Sequence, residues 1–234
     1  MNGRARTYIW NVWKLSLVAV AALAGQARAN VACTGETGWS PTGAEVPPHA
    51  HLVFWSNAKS DGNFGTLTAT IDGKVVATNV RTLRDKPNTM HLIEVDSTAT
   101  GKLELRWGKA DAATFTVVAK PTYAKTAHAT TSRYHRELRH TSVREVFDGL
   151  AIKLDVPATR AHIKSRRDAS ASWVEMDVPV DSDHTIRLGE LGCAQNYNPQ
   201  LLENGIDLVV TVVMPDNTTL PVAELSPAQI PKLP

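Results

Sequence analysis

The chain has 234 residues, 25 basic against 23 acidic, with 43% hydrophobic and 6% aromatic residues, a balance that excludes a disordered, collagenous or multi-spanning membrane protein. Residues 1–29 read as a cleavable targeting segment. Without it (234 less 29, and 25 basic less Arg4, Arg6, Lys14 and Arg28) the remaining 205 residues carry 21 basic against 23 acidic side chains, which supplies no field for nucleic acid.

That segment has the parts of a secretory signal peptide in order: a basic start, an apolar run at 15–24, and the small-x-small site Ala27-Arg28-Ala29. Cleavage is expected before Asn30, which places the protein in the periplasm or outside the cell. An uncleaved anchor needs about 20 apolar residues, and Lys14 interrupts this run too early for one; no transmembrane segment is expected in the mature chain. Cys33 and Cys193 are the two cysteines. In an oxidising compartment the economical reading is one disulfide between them. The competing reading, lipidation of Cys33, lacks a leucine-led small-residue box next to the apolar run.

Residues 30–44 read as an irregular leader rich in Gly, Thr and Pro. Beyond them, period-2 alternation dominates and predicts strands at 50–56, 66–71, 74–80, 91–96, 102–107 and 112–119, then at 133–140, 150–156, 159–165, 171–178 and 206–214. Leu67, Ala69 and Ile71 share one face, as do Leu103, Leu105 and Trp107, and Leu150, Ile152, Leu154 and Val156. Asp72-Gly73 is a two-residue hairpin signal and Pro215-Asp216-Asn217 a second turn. One helical turn is expected at 199–204, stopped by Gly205.

Many short strands without helices between them predict an all-β protein of two tandem immunoglobulin-like antiparallel β-sandwiches. The expected domains are 45–120 and 133–225, with a linker at 121–132 where alternation lapses and a C-terminal tail at 226–234.

The most specific local feature is His49-x-His51. On extended backbone two residues at i and i+2 share a face about 6.6 Å apart, a spacing from which two imidazoles reach one metal. Met90 or His91 is the candidate third ligand, and mixed thioether and imidazole ligation favours copper over zinc. The stretch His49-Ala50-His51-Leu52 resembles the start of the periplasmic copper-resistance sandwich proteins, and the resemblance implies a copper site here. In that family the motif opens the mature chain, whereas residues 30–48 precede it in this one. The competing reading makes His49 and His51 polar strand-entry residues and His91 a hydrogen-bonded histidine at the core edge.

Arg160, His162, Lys164 and Arg166 line one face of a predicted strand. With Lys125, Arg133, Arg136, Arg139 and Arg144 upstream they form a candidate surface for an anionic glycan, a lipid headgroup or an acidic protein. The alternative is that they are solvated charges guarding a strand. Trp173 shares a face with Glu175 and Asp177, the setting of an exposed tryptophan that stacks on a sugar; its competing role is packing at a sheet edge or between domains.

No nucleophile elbow, zinc-protease helix, phosphate loop or paired-cysteine motif is present in the sequence. The expected function is therefore an exported, non-catalytic binding or structural protein with an exported or cell-surface ligand. The alternatives are a periplasmic copper or zinc protein using the His-x-His segment and a secreted hydrolase with carboxylates such as Asp61, Asp148 or Asp155.

Overall fold

The computed structural model describes the backbone of residues 37–56, 64–85, 88–108, 110–140, 143–166, 169–188, 207–223 and 225, and the side chains of all these except 84, 85, 88, 133–140 and 143–149. The expected signal peptide, the cysteines Cys33 and Cys193 and the helical turn at 199–204 lie outside the described residues. Every regular element among the described residues is a strand, and no helix among them is long and apolar enough to cross a membrane.

The first half holds β1 (Thr37–Trp39), β2 (Glu45–Val46), β3 (His51–Ser56), β4 (Leu67–Ile71), β5 (Lys74–Asp85), β6 (Asn88–Asp96), β7 (Gly101–Trp107) and β8 (Ala113–Val117). Their hydrogen-bonded order is β1-β3-β6-β5-β4-β7-β8-β2. The alternating apolar residues explain why this ribbon folds over. Leu52, Phe54, Ile93 and Val95 from one layer and Ala69, Ile71, Leu103, Leu105 and Phe115 from the other meet in one buried cluster. β5 makes the corner, pairing with β4 over 74–76 and with β6 over 77–85. The β4–β5 turn needs two residues in the left-handed region, and Asp72 (φ 48°) and Gly73 (φ 78°) occupy it, the pairing a type I′ hairpin demands. The Asp72 carboxylate also accepts a bond from Lys102 N at 2.9 Å, tying the turn to β7.

The described part of the expected irregular leader, from residue 37, includes a strand. β1 pairs antiparallel with β3, and a few residues later β2 pairs parallel with β8, so one stretch of chain borders both layers. Trp39 anchors it, 5% exposed, with its Nε1 donating to the Asp111 carbonyl at 2.8 Å. Strands of two and three residues are too short to show alternation, so periodicity does not reveal them.

The second half holds β9 (Ala129–His140), β10 (Val143–Leu154), β11 (Arg160–Arg166), β12 (Val174–Pro179), β13 (Thr185–Leu188), β14 (Asp207–Val213) and β15 (Thr219–Pro221). They form a three-stranded sheet, β13-β10-β9, and a four-stranded sheet, β12-β11-β14-β15. Leu150, Ile152, Leu154 and Ile186 from the first and Ala161, Ile163, Val178, Val210 and Val212 from the second share a separate buried cluster. The expected linker is shorter than read, because β9 already begins at Ala129, where Ala129, Thr130, Thr131 and Ser132 pair with residues Leu154 back to Ala151.

The two halves touch. His51 N donates to the Pro215 carbonyl at 2.7 Å, β12 lies against β5 and β6, and the Tyr123 hydroxyl donates to the Glu45 carbonyl at 3.2 Å while its ring packs on the second core. Burial, aided by the negative charges of Asp216 and Glu45, pushes the Tyr123 phenol well above its ordinary range, so the hydroxyl stays a donor.

Candidate functional site

The residues of the metal reading are not brought together. His49 adopts φ 55°, which breaks the extended geometry that the His-x-His spacing requires. Its Nδ1 lies 3.7 Å from Asp96 Oδ1. Met90 and His91 are adjacent on β6 and point to opposite faces. Met90 is fully buried with Val53 and Trp55. His91 joins the ring cluster on the other face, 4.8 Å from Trp107 and 6.0 Å from Phe54, with Nδ1 3.0 Å from the Thr82 hydroxyl. His51 pairs with Glu94, three register positions from the Phe54–His91 pair, and so faces away from His91. Among the described residues no group of three or more His, Cys, Asp or Glu side chains is placed to hold a metal ion.

Among the carboxylates considered for hydrolysis, Asp155 is structural: its Oδ1 accepts from His128 N at 2.8 Å. Asp61 lies outside the described residues and the Asp148 side chain outside the described side chains. Asp181 and Asp183 both receive the Arg187 guanidinium. Burial alone pushes the Asp183 carboxyl up, but the bond and charge from Arg187 outweigh it and leave the group below its ordinary value.

The basic row on β11 is present on one face, as the alternation requires, but it is paired with acids rather than free. Arg160 reaches Asp177 at 3.0 Å, Lys164 reaches Glu175 at 2.6 Å and Arg166 reaches Asp207 at 2.6 Å. His162 sits between two carboxylates, 3.3 Å from Glu175 and 3.6 Å from Asp177. Register creates this: Lys164 is directly opposite Glu175 and His162 opposite Asp177 on β12, while Arg166 is opposite Asp207 on β14. The Glu175 carboxyl is accordingly held below its ordinary value, chiefly by the hydrogen bond from Lys164, with His162 adding to it. Three permanent cations and three carboxylates cancel on this face, so the attraction for an anionic ligand expected from the basic residues alone is offset.

These pairings fix the sign of a pH effect. A carboxyl whose folded-state pKa lies below its unfolded one stabilises the fold above the unfolded value, near 3.9 for Asp, and that contribution is lost as pH falls through the folded value. The chain should therefore melt at a higher temperature than Asp183→Asn at neutral pH, and the gap should close as pH drops below about 3.9. Thermal melts followed by circular dichroism check this; a gap that persists undiminished under acid conditions contradicts the ion-pair account.

Trp173 lies just before β12 on the same outer face. It is 40% exposed, and the Arg166 guanidinium carbon stands 4.5 Å from its ring centroid, a cation–π contact. Val209 nearby is 49% exposed, while Val174, 52% exposed, alternates with Glu175 and so projects from the opposite face of β12. Val209 sits directly across from Lys164, so the outer face carries an aromatic and apolar strip crossed by neutralised ion pairs.

A groove of about 300 Å³ lies where the halves meet. Its first-half floor includes His51, Asn79, Arg81 and Glu94, and its second-half wall includes Thr159, Arg160 and Asn217. Of these only His51 and Arg160 stand out in the sequence as candidate ligand-binding residues; alternation along 74–80 puts Asn79 on the face of Val75 and Ala77 and does not say what covers it.

No family model and no curated protein sequence matches the chain. Among solved structures it is similar to a pullulanase from Anoxybacillus complexed with maltotriose, at 10% identity over 85% of this chain and 29% of that one, with a TM-score of 0.26. It is also similar to dimeric latent PorU from Porphyromonas gingivalis, at 15% identity over 82% of this chain and 20% of that one, TM-score 0.25. A third is the tandem Ig repeats of Dlar, at 13% identity over 82% of this chain and 97% of that one, TM-score 0.25. The chain thus spans less than a third of the pullulanase and of PorU.

Proposed function

We propose that the chain is an exported, non-catalytic binding protein of two tandem immunoglobulin-like sandwiches, which engages a protein partner through the outer face of β12-β11-β14-β15. The strand order supports the architecture. In the first half β1-β3-β6-β5 and β4-β7-β8 follow the ABED and CFG order of constant-type immunoglobulin domains. In the second half β9, β10 and β13 form one layer opposite the other four strands. Export rests on the signal-peptide pattern of residues 1–29. A disulfide between Cys33 and Cys193 belongs to the same proposal.

The observation that carries the binding reading is the partly exposed Trp173 with Arg166 stacked on it, with exposed Val209 on the same face. Tryptophan and arginine dominate the energetics of protein interfaces, and an apolar strip rimmed by polar groups is the usual mark of one. Because the ion pairs on this face cancel, a protein surface of mixed character fits it better than an anionic glycan or lipid headgroup.

A photo-reactive amino acid placed at Val209 tests this in the cells that make the protein. The expected result is one discrete covalent adduct in the exported fraction, lost when Trp173→Ala is added and absent when the probe sits at Val75. Equal adducts at Val209 and Val75, or an adduct indifferent to Trp173→Ala, overturns the assignment of this face.

A further inference from the structure

We propose that the groove between the two halves is a binding site for a neutral polyhydroxyl ligand, a saccharide. This site lies at the Arg160 end of β11, whereas Trp173 stacks at the Arg166 end, and it does not depend on Trp173. Its floor is the outer face of the layer containing β3, β6 and β5. His51 is directly opposite Glu94, which is in turn opposite Asn79, and in the neighbouring row Val53 is opposite Leu92, which is opposite Arg81. Residues so paired lie on one face with Cβ atoms about 5 Å apart, so the polar row and the row carrying Arg81 lie side by side under the wall formed by the second half.

The ligand chemistry follows from what these groups have left to bond. The side chains of His51, Asn79, Arg81, Glu94 and Asn217 make no hydrogen bond or ion pair with any described residue, although His51 and Glu94 are half-buried. Asn79, Arg81 and Asn217 are exposed and solvated, so the free energy a ligand recovers comes chiefly from the half-buried His51 and Glu94. Arg160 keeps one guanidinium nitrogen on Asp177, and the Thr159 hydroxyl is committed to the Val213 carbonyl, so the wall is held in place.

Charge then selects among ligands. A carboxylate or phosphate that approaches Arg81 also meets Glu94, and an ammonium that approaches Glu94 also meets Arg81 and Arg160. A neutral hydroxyl meets no such conflict, because it both donates and accepts. Hydroxyls donate to Glu94, accept from Arg81, and do either with His51, Asn79 and Asn217. The partly exposed Leu92 offers apolar surface to the carbon–hydrogen face of a sugar ring. A volume of about 300 Å³ is at the small end of ligand sites, which points to a short saccharide or the end of a longer one.

The test is an amide-shift titration of the purified, isotope-labelled chain with glucose, N-acetylglucosamine and cellobiose, beside acetate and methylammonium as charged probes. At least one sugar should shift the amides of Val80, Arg81, Glu94, Thr159 and Asn217 and saturate in the millimolar range. Glu94→Ala and Arg81→Ala should each weaken it by about tenfold, and Trp173→Ala should leave it unchanged. The proposal is overturned if acetate or methylammonium saturates these amides while the sugars do not, if sugar shifts centre on Trp173, or if no sugar moves the groove amides at about 100 mM. The wild-type shift map stands whether or not a variant folds. Loss of the Val209 adduct leaves this result untouched, so the two readings fail separately.

Discussion

Phe54→Ala should lower the unfolding free energy by about 3–5 kcal/mol. Phe54 is fully buried and is the ring to which the others of the first core refer. Trp39 lies 4.8 Å from it, Phe64 5.0 Å and Trp107 5.2 Å, centroid to centroid. Truncation removes transfer free energy and leaves a space that three flanking aromatic rings fill poorly, because their own rotamers are constrained by packing. Trp39 and Trp107 are also held by indole hydrogen bonds to the Asp111 and Gly65 carbonyls, which further restricts collapse. Urea unfolding measures the change, with Val75→Ala, at a residue 78% exposed, as a control expected within about 0.5 kcal/mol of wild type. A loss below about 1 kcal/mol for Phe54→Ala contradicts a close-packed ring cluster.

Ile152→Ala should cost about 2–5 kcal/mol in the second half. Ile152 is fully buried, pairs across β10–β13 with Ile186, itself fully buried, and belongs to a core that shares no residue with the first. The loss should therefore be local. In native-state hydrogen exchange, amides of β11 and β14 are expected to lose protection while those of β7 keep theirs. Equal loss in β7 means that the contacts through His51, Tyr123 and β12 weld the two cores into one cooperative unit.

The elements that the sequence makes legible are those long enough to alternate. Ala69 and Ile71, Leu103 and Leu105, and Leu150, Ile152 and Leu154 are all buried, as their spacing predicts, and the Asp72-Gly73 turn has the backbone its residues require. β1, β13 and β15 have three or four residues each, so neighbouring strands rather than periodicity define them. The stretch Val143-Arg144-Glu145-Val146 does not alternate cleanly, yet it continues β10 because β9 pairs with it residue for residue. The charged row on β11 was legible as a row, but its neutralisation depends on inter-strand register, a property of the ladder that no single strand carries. The groove is a step further removed, since its floor and wall come from different halves.

In each half a segment near its start runs parallel to one near its end. In the first half β2 lies parallel to β8, with Thr116 N bonded to the Ala44 carbonyl at 3.0 Å and Val118 N to the Val46 carbonyl at 2.9 Å. In the second, Ala127 bridges Val222 in parallel, receiving Ala223 N on its carbonyl at 2.8 Å and donating to the Pro221 carbonyl at 3.2 Å. A pull on the two ends of either half drags such a pair in opposite directions along its own length. The load falls on these bonds in shear, and they must give way together; an antiparallel terminal pair would peel apart one bond at a time. Tension along the backbone thus loads a short parallel contact in each half in shear.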